Sequence, residues 1–415
     1  MLEITQPSRF EKETNQRTGT VSCAHLLSKS RQSVLLISKR IAVFCGVFMR
    51  IRLIAVCAIL SLLLGAAACG TAAGYKAVGY KGDIREAVFT DDAGRKVELP
   101  KEISRVAPSG FVATMILATL CPEYMVCVSS SPSSSQYKYL PGNLIELPTT
   151  GQLYGSKSTI NFESLIKADP QIIIDLGDRK DSIASDMDAL QRTTDIATIF
   201  LEADLYHISH AYRTLGKLLG LEEKAETLAY FIDETMMMAA KNSAKIADGD
   251  RLSVMYTSGT SGLNTNASGS TQAQVIEIIG AKNAVIVEEI SNQGGGNIIG
   301  LEQLYNFDPE VILFTGGSIY STVAGLEAWS GLSAVKNGKY YEIPYLPYNW
   351  MSNPPSVNMV VGVWWLGNLL YPDVYDYDIV AVARDFYKLF WGYDLTAQEA
   401  EAMLANSCFK FGIRN

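Results

Sequence analysis

The chain has 415 residues, 48% of them hydrophobic, which is enough to bury one large core or two moderate ones. Its formal charge is −8, and the first 68 residues hold 9 of the 35 basic residues but only 3 of the 43 acidic ones, so a chain that starts at Cys69 carries −14. An acidic body without a cluster of lysine or arginine excludes a nucleic-acid partner, because phosphate binding requires clustered positive charge.

The segment before Cys69 has the order of an export signal. A basic stretch that starts at Met49 precedes an apolar run, and four small residues then precede the cysteine. The apolar run is shorter than the roughly 20 residues of a membrane span. Small residues followed by cysteine resemble a bacterial lipoprotein signal, although that family prefers Leu where Ala66 stands. We predict a signal peptide over 49–68 and lipidation of Cys69; the alternative is plain cleavage after Ala68.

The segments on either side of the signal are simpler. Residues 1–48 precede a good start site and are interpreted as an extension that results from a start codon assigned too early. The alternative is a translated cytoplasmic extension with a second membrane span over 34–48. Residues 69–84 are rich in small residues and predict a tether between the lipid and the folded body.

Two cysteines in the body lie six positions apart. Cys121 and Cys127 flank a Pro-Glu-Tyr turn, and in an exported protein they could close a small disulfide. The alternative, which we favour, is a pair of buried free thiols. Together with Cys408 they offer no Cys-x-x-Cys spacing that would predict zinc.

Strands and helices alternate along the body. In the first half, a strand over 103–107 turns through Pro-Ser-Gly into an apolar helix over 111–120, and a second strand is predicted over 125–128. The second half repeats this order with a strand over 252–257, a loop rich in Gly and Asn, a helix over 271–279 and a strand over 284–287. Such alternation predicts an α/β fold in which helices cover both faces of parallel sheets.

One sequence pattern occurs twice. Residues 160–174 and 299–313 share the order apolar-x-apolar-Glu-x-Leu-x-x-x-Asp-Pro-x, followed by three apolar residues that favour strands. Each copy predicts a short helix that Asp-Pro ends, and then a buried strand. The repeat predicts two homologous lobes, over 85–205 and 248–370.

Helices are predicted between and after the lobes. Residues 206–247 connect them, and the stretch 221–246 starts with glutamates and ends with lysines, as the helix dipole favours. At ~1.5 Å per residue this helix would be about 40 Å long and would restrict bending between the lobes. The C-terminal helices over 371–415 include one capped by Thr396, with Glu399 three residues later.

Over residues 85–392 the chain resembles the substrate-binding proteins of ABC importers for iron-siderophores, haem and cobalamin, known as class III periplasmic binding proteins. The two Glu-x-Leu-x-x-x-Asp-Pro segments, the opening strand-Pro-Ser-Gly-helix and the helix from Leu221 carry the resemblance. It implies two Rossmann-like lobes with parallel sheets joined by one long rigid helix, the helical-backbone fold of TroA-like and chelatase-like proteins.

The segments 348–356 and 364–372 are similar to a branch that handles iron complexes, some members of which bind molybdate or tungstate. The resemblance implies an extracytoplasmic lipoprotein that binds an iron chelate, such as a siderophore or haem, or a related metal compound between its lobes; cobalamin and molybdate or tungstate are alternatives. The implied partners are an ABC permease dimer with its ATPase, and the membrane through the lipid anchor. The resemblance also implies that the protein is a monomer and carries no cofactor. A basic residue is common in this branch where Asn353 stands, which puts direct charge pairing with an oxyanion or with the carboxylate of a chelate in doubt.

Ligands in open α/β sheets bind beyond the carboxyl ends of the strands. That criterion selects loops in both lobes whose aromatic and polar side chains would suit an organic metal chelate. The alternative is that the aromatic residues pack within their own loops. The residues we expect to contact ligand are Ser109, Phe111, Gln152, Tyr154, Asn266, Asn297, Tyr348, Asn349, Trp350 and Asn353.

Glu163 and Glu302 occupy equivalent positions in the two repeated segments. In the resembling family, one surface Glu of each lobe docks onto arginines of the permease, and these positions match. Paired carboxylates would also attract the partner over a distance. The alternative is an ordinary glutamate in the first turn of a helix, where the dipole favours it.

An enzyme and a surface adhesin are the rival classes. Chelatases share a related fold but need a catalytic base, and the chain has no Gly-x-Ser-x-Gly, no His-Glu-x-x-His and no phosphate loop with its lysine. His207 and His210 alone make a poor metal site. An adhesin needs no cleft between two lobes. We therefore predict no catalytic residue, no metal site and no enzyme.

Overall fold

The computed structural model describes residues 88–154, 158–291 and 295–407. The predicted extension, signal peptide, Cys69 and tether lie outside the described residues, and so does Cys408. Among the described residues, no helix is both long enough and apolar enough to cross a membrane.

A three-stranded parallel sheet forms the centre of the first half. Its strands, in spatial order, are β3 (Val106–Pro108), β4 (Ile172–Gly177) and β5 (Ala197–Glu202), after a separate antiparallel hairpin of β1 (Val88–Thr90) and β2 (Lys96–Glu98). The connecting helices are α1 (Phe111–Leu120), α2 (Phe162–Lys167) and α3 (Ile183–Thr194). Parallel pairing requires such crossovers, because a tight turn cannot join parallel strands.

Two helices lead from the first sheet to the second. They are α4 (Ile208–Leu219) and α5 (Glu222–Ser243). Gly220 separates them with a positive φ of 70°, a conformation that glycine adopts without strain. The 22 residues of α5 span about 33 Å at ~1.5 Å per residue, which is somewhat shorter than the stretch predicted from the sequence.

The second half contains a six-stranded sheet. Its strands are β6 (Ser253–Ser258), β7 (Asn264–Thr265), β8 (Lys282–Asn283), β9 (Asn297–Ile298), β10 (Val311–Phe314) and β11 (Tyr340–Glu342). The order is β11-β10-β6-β7-β9, with β8 also paired to β6; β6, β8, β10 and β11 are parallel, and β7 is antiparallel to both neighbours. Four short helices accompany it: α6 (Gln274–Ile278), α7 (Leu301–Phe307), α8 (Glu327–Ser330) and α9 (Ser333–Lys336).

Three helices complete the fold after the second sheet. They are α10 (Asn358–Leu370), α11 (Ile379–Phe386) and α12 (Ala397–Leu404). Thr396 and Glu399 form the predicted capping box, because each side chain accepts from the other residue's backbone N–H. Phe390 packs edge-to-face on Tyr212 of α4, so the C-terminal segment returns to the connector.

Successive residues of each central strand face different hydrophobic cores, one on each side of the sheet. Ile172 and Ile174 face a large core that α5 and the C-terminal helices share, whereas Ile173 faces a small cluster with α3. In the second sheet, Val254 faces the shared core and Met255 faces a separate cluster. Since successive side chains of a strand point to opposite faces, both sheets are covered on both sides.

The two Asp-Pro segments occupy equivalent places. α2 leads into β4 and α7 leads into β10, and each of these strands lies between two parallel neighbours. Asp169 and Asp308 follow the helices with φ values of 53° and 30°. The next residue is proline in both copies, which disfavours a further helical residue before it. The predicted α/β fold with parallel sheets is confirmed, whereas the exact lobe boundaries stay predictions.

Two predicted strands differ from the structure, and the structure decides between the two alternatives for the cysteines. The strand predicted over 125–128 is reduced to isolated bridges at Met125 and Val128. The strand predicted over 284–287 lies earlier in the chain, as β8 over Lys282–Asn283. It ends there because the Asn283 side chain accepts from the backbone N–H of Val285 and turns the chain. Cys121 and Cys127 are buried free thiols, as favoured, so the alternative disulfide is wrong.

Candidate ligand-binding site

A pocket of about 270 Å³ lies between the two halves of the chain. One wall comes from the loop after α1, and the other comes from loops of the second half. The Gln136 Nε2 donates a 2.8 Å hydrogen bond to the carbonyl oxygen of Pro347, so the two walls touch directly. The lining residues are Ser133, Ser135, Gln136, Thr315, Gly316, Tyr345, Leu346, Pro347, Tyr348, Asn349 and Asn353.

The second wall stands where the sheet topology predicts a ligand. Thr315 and Gly316 directly follow the carboxyl end of β10, and Tyr345 comes shortly after β11. A Cβ at Gly316 would lie 3.1 Å from the Tyr345 ring, so glycine lets the ring lie close to the strand end. Crevices beyond the carboxyl ends of parallel strands are the usual ligand sites of such sheets.

Internal hydrogen bonds hold the loop that ends at Asn353. The Asn349 Oδ1 accepts from the backbone N–H groups of Met351 and Ser352 at 2.8 and 3.2 Å. Asn353 has a φ of 67°, which asparagine tolerates better than most residues. Trp350 is buried and its Nε1 donates to the Tyr387 hydroxyl at 3.4 Å. Asn349 and Trp350 therefore shape the loop, and Trp350 is not among the residues that line the pocket.

The lining of the pocket offers hydrogen bonds without charge. Hydroxyl groups, amides and aromatic rings make up its polar surface, and none of the lining residues has an ionisable acid or base of the Asp, Glu, Lys or Arg type. Burial raises the pKa of Tyr348 to about 12, so its hydroxyl stays neutral near pH 7. Among the described residues, no group of three or more metal-ligating side chains could hold a metal ion.

A second cavity of about 450 Å³ lies on the other side of Tyr345 and Leu346. Its charged side chains are already paired, since Lys138 contacts Glu399 and the Glu342 carboxylate accepts from Asn406 Nδ2 at 2.9 Å. Its lining comes from the C-terminal helix and the Tyr345–Leu346 loop, together with Glu342 and Ile343 at the carboxyl end of β11. We therefore take the smaller, uncharged pocket as the candidate site.

The predicted loops of the first half meet each other. The Ser109 hydroxyl donates to the buried Asp175 carboxylate, and the backbone N–H of Leu153 donates to the Ser109 carbonyl at 2.8 Å. A Cβ at Gly110 would lie 3.5 Å from the Gln152 Cβ. Burial raises the pKa of Asp175 to about 6, although the Ser109 hydrogen bond opposes the shift.

Tyr154 belongs to the same edge of the first sheet. Its hydroxyl donates to Asp186 Oδ2 at 2.9 Å, and the Lys180 ammonium lies 3.2 Å from the ring centroid, a cation–π contact. Phe111, at the start of α1, is exposed. The structure thus brings Ser109, Phe111, Gln152 and Tyr154 to one edge, but none of them is among the residues that line the pocket.

Asn266 and Asn297 have structural partners of their own. Asn266 is buried, and its carbonyl accepts from Asn283 Nδ2 at 2.9 Å. The Asn297 side chain accepts from the N–H of Ser291 at 3.0 Å and donates to the Glu289 carbonyl at 2.8 Å. Both residues brace the β7–β9 region rather than the pocket.

Sequence reasoning missed the first wall of the pocket. Ser133, Ser135 and Gln136 lie in a serine-rich stretch without periodicity, and such a stretch is typical of any surface loop. The concentration of hydroxyl groups after a predicted strand was the available signal. Thr315 was also missed, although it directly follows a predicted strand. Tyr345 begins a loop that the strand-end criterion selected, but it was not among the residues expected to contact ligand.

Polar contacts join the two halves at a second place. The Thr271 hydroxyl donates to Asp178 Oδ2 at 2.8 Å, and Gln274 Nε2 donates to Asp204 Oδ2 at 3.2 Å. The other oxygen of Asp204 lies 2.6 Å from His207 Nδ1. Partial burial disfavours the imidazolium, but the hydrogen bond and charge of Asp204 outweigh it and raise the pKa of His207.

Glu163 and Glu302 are exposed at the second position of α2 and α7. Neither carboxylate has an ion-pair partner within 4 Å among the described residues. Both are thus accessible to another molecule.

Two α/β halves with parallel sheets, the connecting helices α4 and α5, and a pocket at the seam define a solute-binding protein of the periplasmic type. Residues 117–345, more than half of the chain, match the family of periplasmic binding proteins. The chain belongs to this family, and the predicted class III resemblance is confirmed.

Known relatives agree with this assignment. The chain is 23% identical over 274 residues to YvrC, an ABC transporter substrate-binding lipoprotein of Bacillus subtilis (strain 168), covering 62% of this chain and 83% of that protein. An ABC transporter solute-binding protein from Sulfurospirillum deleyianum is 26% identical with a TM-score of 0.70, covering 77% of this chain and 99% of that one. MolA of Haemophilus influenzae, bound to molybdate, shares the fold at 18% identity and a TM-score of 0.59, covering 74% of this chain and 99% of that one.

Proposed function

We propose that this chain is the extracytoplasmic solute-binding lipoprotein of an ABC importer and that it binds an iron chelate, of siderophore or haem type, or a related metal compound. The observation that carries the proposal is the uncharged pocket between the two halves. Family membership supports the importer role, and the name of the B. subtilis relative supports the lipid anchor at Cys69.

The chemistry of the pocket favours a metal that arrives already complexed. A bare cation needs several carboxylate, imidazole or thiolate ligands. The lining supplies hydroxyls, amides and two tyrosine rings instead. These groups suit the polar edges and flat faces of an organic chelate, whose own donor atoms already satisfy the metal.

The size of the pocket limits how the chelate is held. A volume of about 270 Å³ is close to the lower end of the roughly 300–1,000 Å³ that is usual for ligand pockets. A small chelate would fit within it, and a larger one would place only one face there.

Molybdate or tungstate is the second candidate. The fold likeness to MolA supports it, and so do the hydroxyl and amide donors of the lining, which can surround the oxygens of an oxyanion. Asn353 supplies no positive charge to this wall, which favours the chelate over the oxyanion.

A ligand panel tests the proposed function. The mature protein is heated with a ferric trihydroxamate, a ferric tricatecholate, haem, cobalamin or molybdate, each at matched concentration. A true ligand present at ~100 times its Kd adds about 2.7 kcal/mol of stability, which raises the melting temperature. Mass spectrometry of the protein isolated from its own host identifies the native ligand. If every metal compound leaves the melting temperature unchanged and the native protein carries a metal-free solute, the proposal is wrong.

We further propose that Glu163 and Glu302 dock onto positively charged residues of the permease. Their exposure and their equivalence in the two repeated segments support this role. No catalytic residue is proposed.

A further inference from the structure

An exposed apolar side chain stands one helical turn after each of these glutamates. Ile166 is 49% exposed in α2, and Tyr305 is 44% exposed in α7. The two residues occupy the same position of the repeated pattern. The intervening leucines, Leu165 and Leu304, are fully buried, so the outward and inward faces of both short helices are unambiguous.

Residues three apart on a helix lie on the same face. Each lobe therefore presents a carboxylate and an apolar side chain side by side, Glu163 with Ile166 and Glu302 with Tyr305. About half of each apolar side chain stays in water, and that exposed half gains nothing from the hydrophobic effect in the isolated fold. A repeated pair of this kind fits a partner with two similar subunits, each of which offers a cation next to an apolar surface.

The two lobes differ in how much apolar surface surrounds the glutamate. In the second half, Ile298 is 79% exposed and Leu301 is exposed beside it. The matching positions of the first half are the polar Thr159 and the half-buried Phe162. The apolar surface around Glu302 is thus larger than the one around Glu163.

We propose that Ile166 and Tyr305 are apolar anchors of the permease-docking surface, and that the second lobe contributes more of the affinity. This inference rests on the proposed function, because the two-subunit partner is the permease dimer. Exposed ion pairs are weak and act mainly on the rate and orientation of encounter. Apolar side chains buried at the interface slow dissociation instead.

The test measures binding of the purified protein to the host's permease–ATPase complex in lipid nanodiscs at low and high salt. The variants are Ile166→Ser, Tyr305→Ser, their combination, and Glu163→Gln combined with Glu302→Gln. Ile286→Ser is the matched control, because Ile286 is 75% exposed but lies outside the repeat. Melting temperatures establish that each variant is folded.

We expect the combined anchor variant to lose affinity by about tenfold or more at both salt concentrations, with faster dissociation. Tyr305→Ser should lose more than Ile166→Ser, and Ile286→Ser should bind like the wild type. The glutamate variant should lose the salt dependence of association. Wild-type affinity in the combined anchor variant, together with weaker binding of the glutamate variant, overturns the anchors but leaves the proposed function standing. No binding of the wild-type protein to the importer removes both.

Discussion

Gln136 and Pro347 lie on opposite halves of the chain and are joined by a 2.8 Å hydrogen bond across the pocket. The contact links the serine-rich loop of the first half to the Tyr345–Asn353 wall of the second. The two walls of the candidate site are therefore in direct contact at this point.

Replacement of Gln136 by leucine should weaken ligand binding while leaving the fold intact. The change removes the cross-pocket hydrogen bond and one polar group of the lining, and a net hydrogen bond contributes roughly 0.5–1.5 kcal/mol, or about twofold to thirteenfold in affinity. Titration calorimetry with the most stabilising compound of the panel measures the loss. Gln152→Leu is the matched control, since Gln152 does not line the pocket. Equal losses for both variants would place the ligand elsewhere in the cleft.

Asp175→Asn should stabilise the protein near neutral pH. Burial raises the pKa of Asp175 from 3.8 to about 6, so the folded state holds this proton more tightly than the unfolded state does. Stability then falls as pH rises from about 4 to 6, and at pH 7.5 the cost is of the order of 3 kcal/mol. Asparagine carries no charge and still accepts from Ser109.

Denaturant titrations at pH 4 and pH 7.5 check this expectation. The gain from Asp175→Asn should be present at pH 7.5 and absent at pH 4, where the wild-type carboxyl is protonated. Asp195→Asn, at an exposed helix end, is the matched Asp-to-Asn control outside the core. A gain of the same size at both pH values would show that the effect is not electrostatic.

His207 should stabilise the fold at low pH and not at high pH. Its pKa is raised above the ordinary 6.5 by Asp204 and neighbouring carboxylates, despite the opposing effect of partial burial. The stabilisation is therefore complete below pH 6.5 and lost as pH rises through the folded-state pKa. Proton NMR of the imidazole signals measures the titration. The raised transition should vanish in His207→Gln and persist in His210→Gln; its survival in His207→Gln would contradict the assignment.

Gly362→Ala should destabilise the protein although Gly362 lies inside helix α10. Alanine normally stabilises a helix interior relative to glycine by ~1 kcal/mol. Here a Cβ would lie 1.9 Å from the Trp350 carbonyl oxygen, so the helix and the pocket-supporting loop must separate. We expect a loss of about 1–3 kcal/mol in the free energy of unfolding. Gly325→Ala, with nothing within 4 Å of its Cβ position, should change it little.

Cys69→Ala should release the protein from the membrane. The lipid anchor is the reason for the membrane association that we propose, and alanine cannot be acylated at this position. Incorporation of labelled fatty acid, followed by separation of membrane and soluble fractions, measures both effects. Labelled protein in the Cys69→Ala variant would assign the anchor to another residue.

Local patterns determined the repeated architecture. Asp-Pro after a helical stretch ends the helix, because proline restricts the preceding residue, and a run of β-branched residues after it favours a buried strand. Both rules act within a few residues. The sequence therefore predicted α2 with β4, α7 with β10, and the Thr396 cap.

Packing between distant segments decided the pocket. Trp350 was predicted to line the cleft because aromatic loop residues often contact ligand, yet the hydrogen bond to Tyr387, 37 residues away, holds it in the core. Ser133 and Gln136 carry no pattern that distinguishes them from other loop residues. The carboxyl ends of the strands indicate on which side a ligand binds, but which loops meet there depends on how the two halves pack on the shared helical core. The sequence by itself determined the two lobes and their equivalent glutamates, because those signals are local; only the tertiary structure decided which side chains form the pocket, because that depends on contacts between residues far apart in the chain.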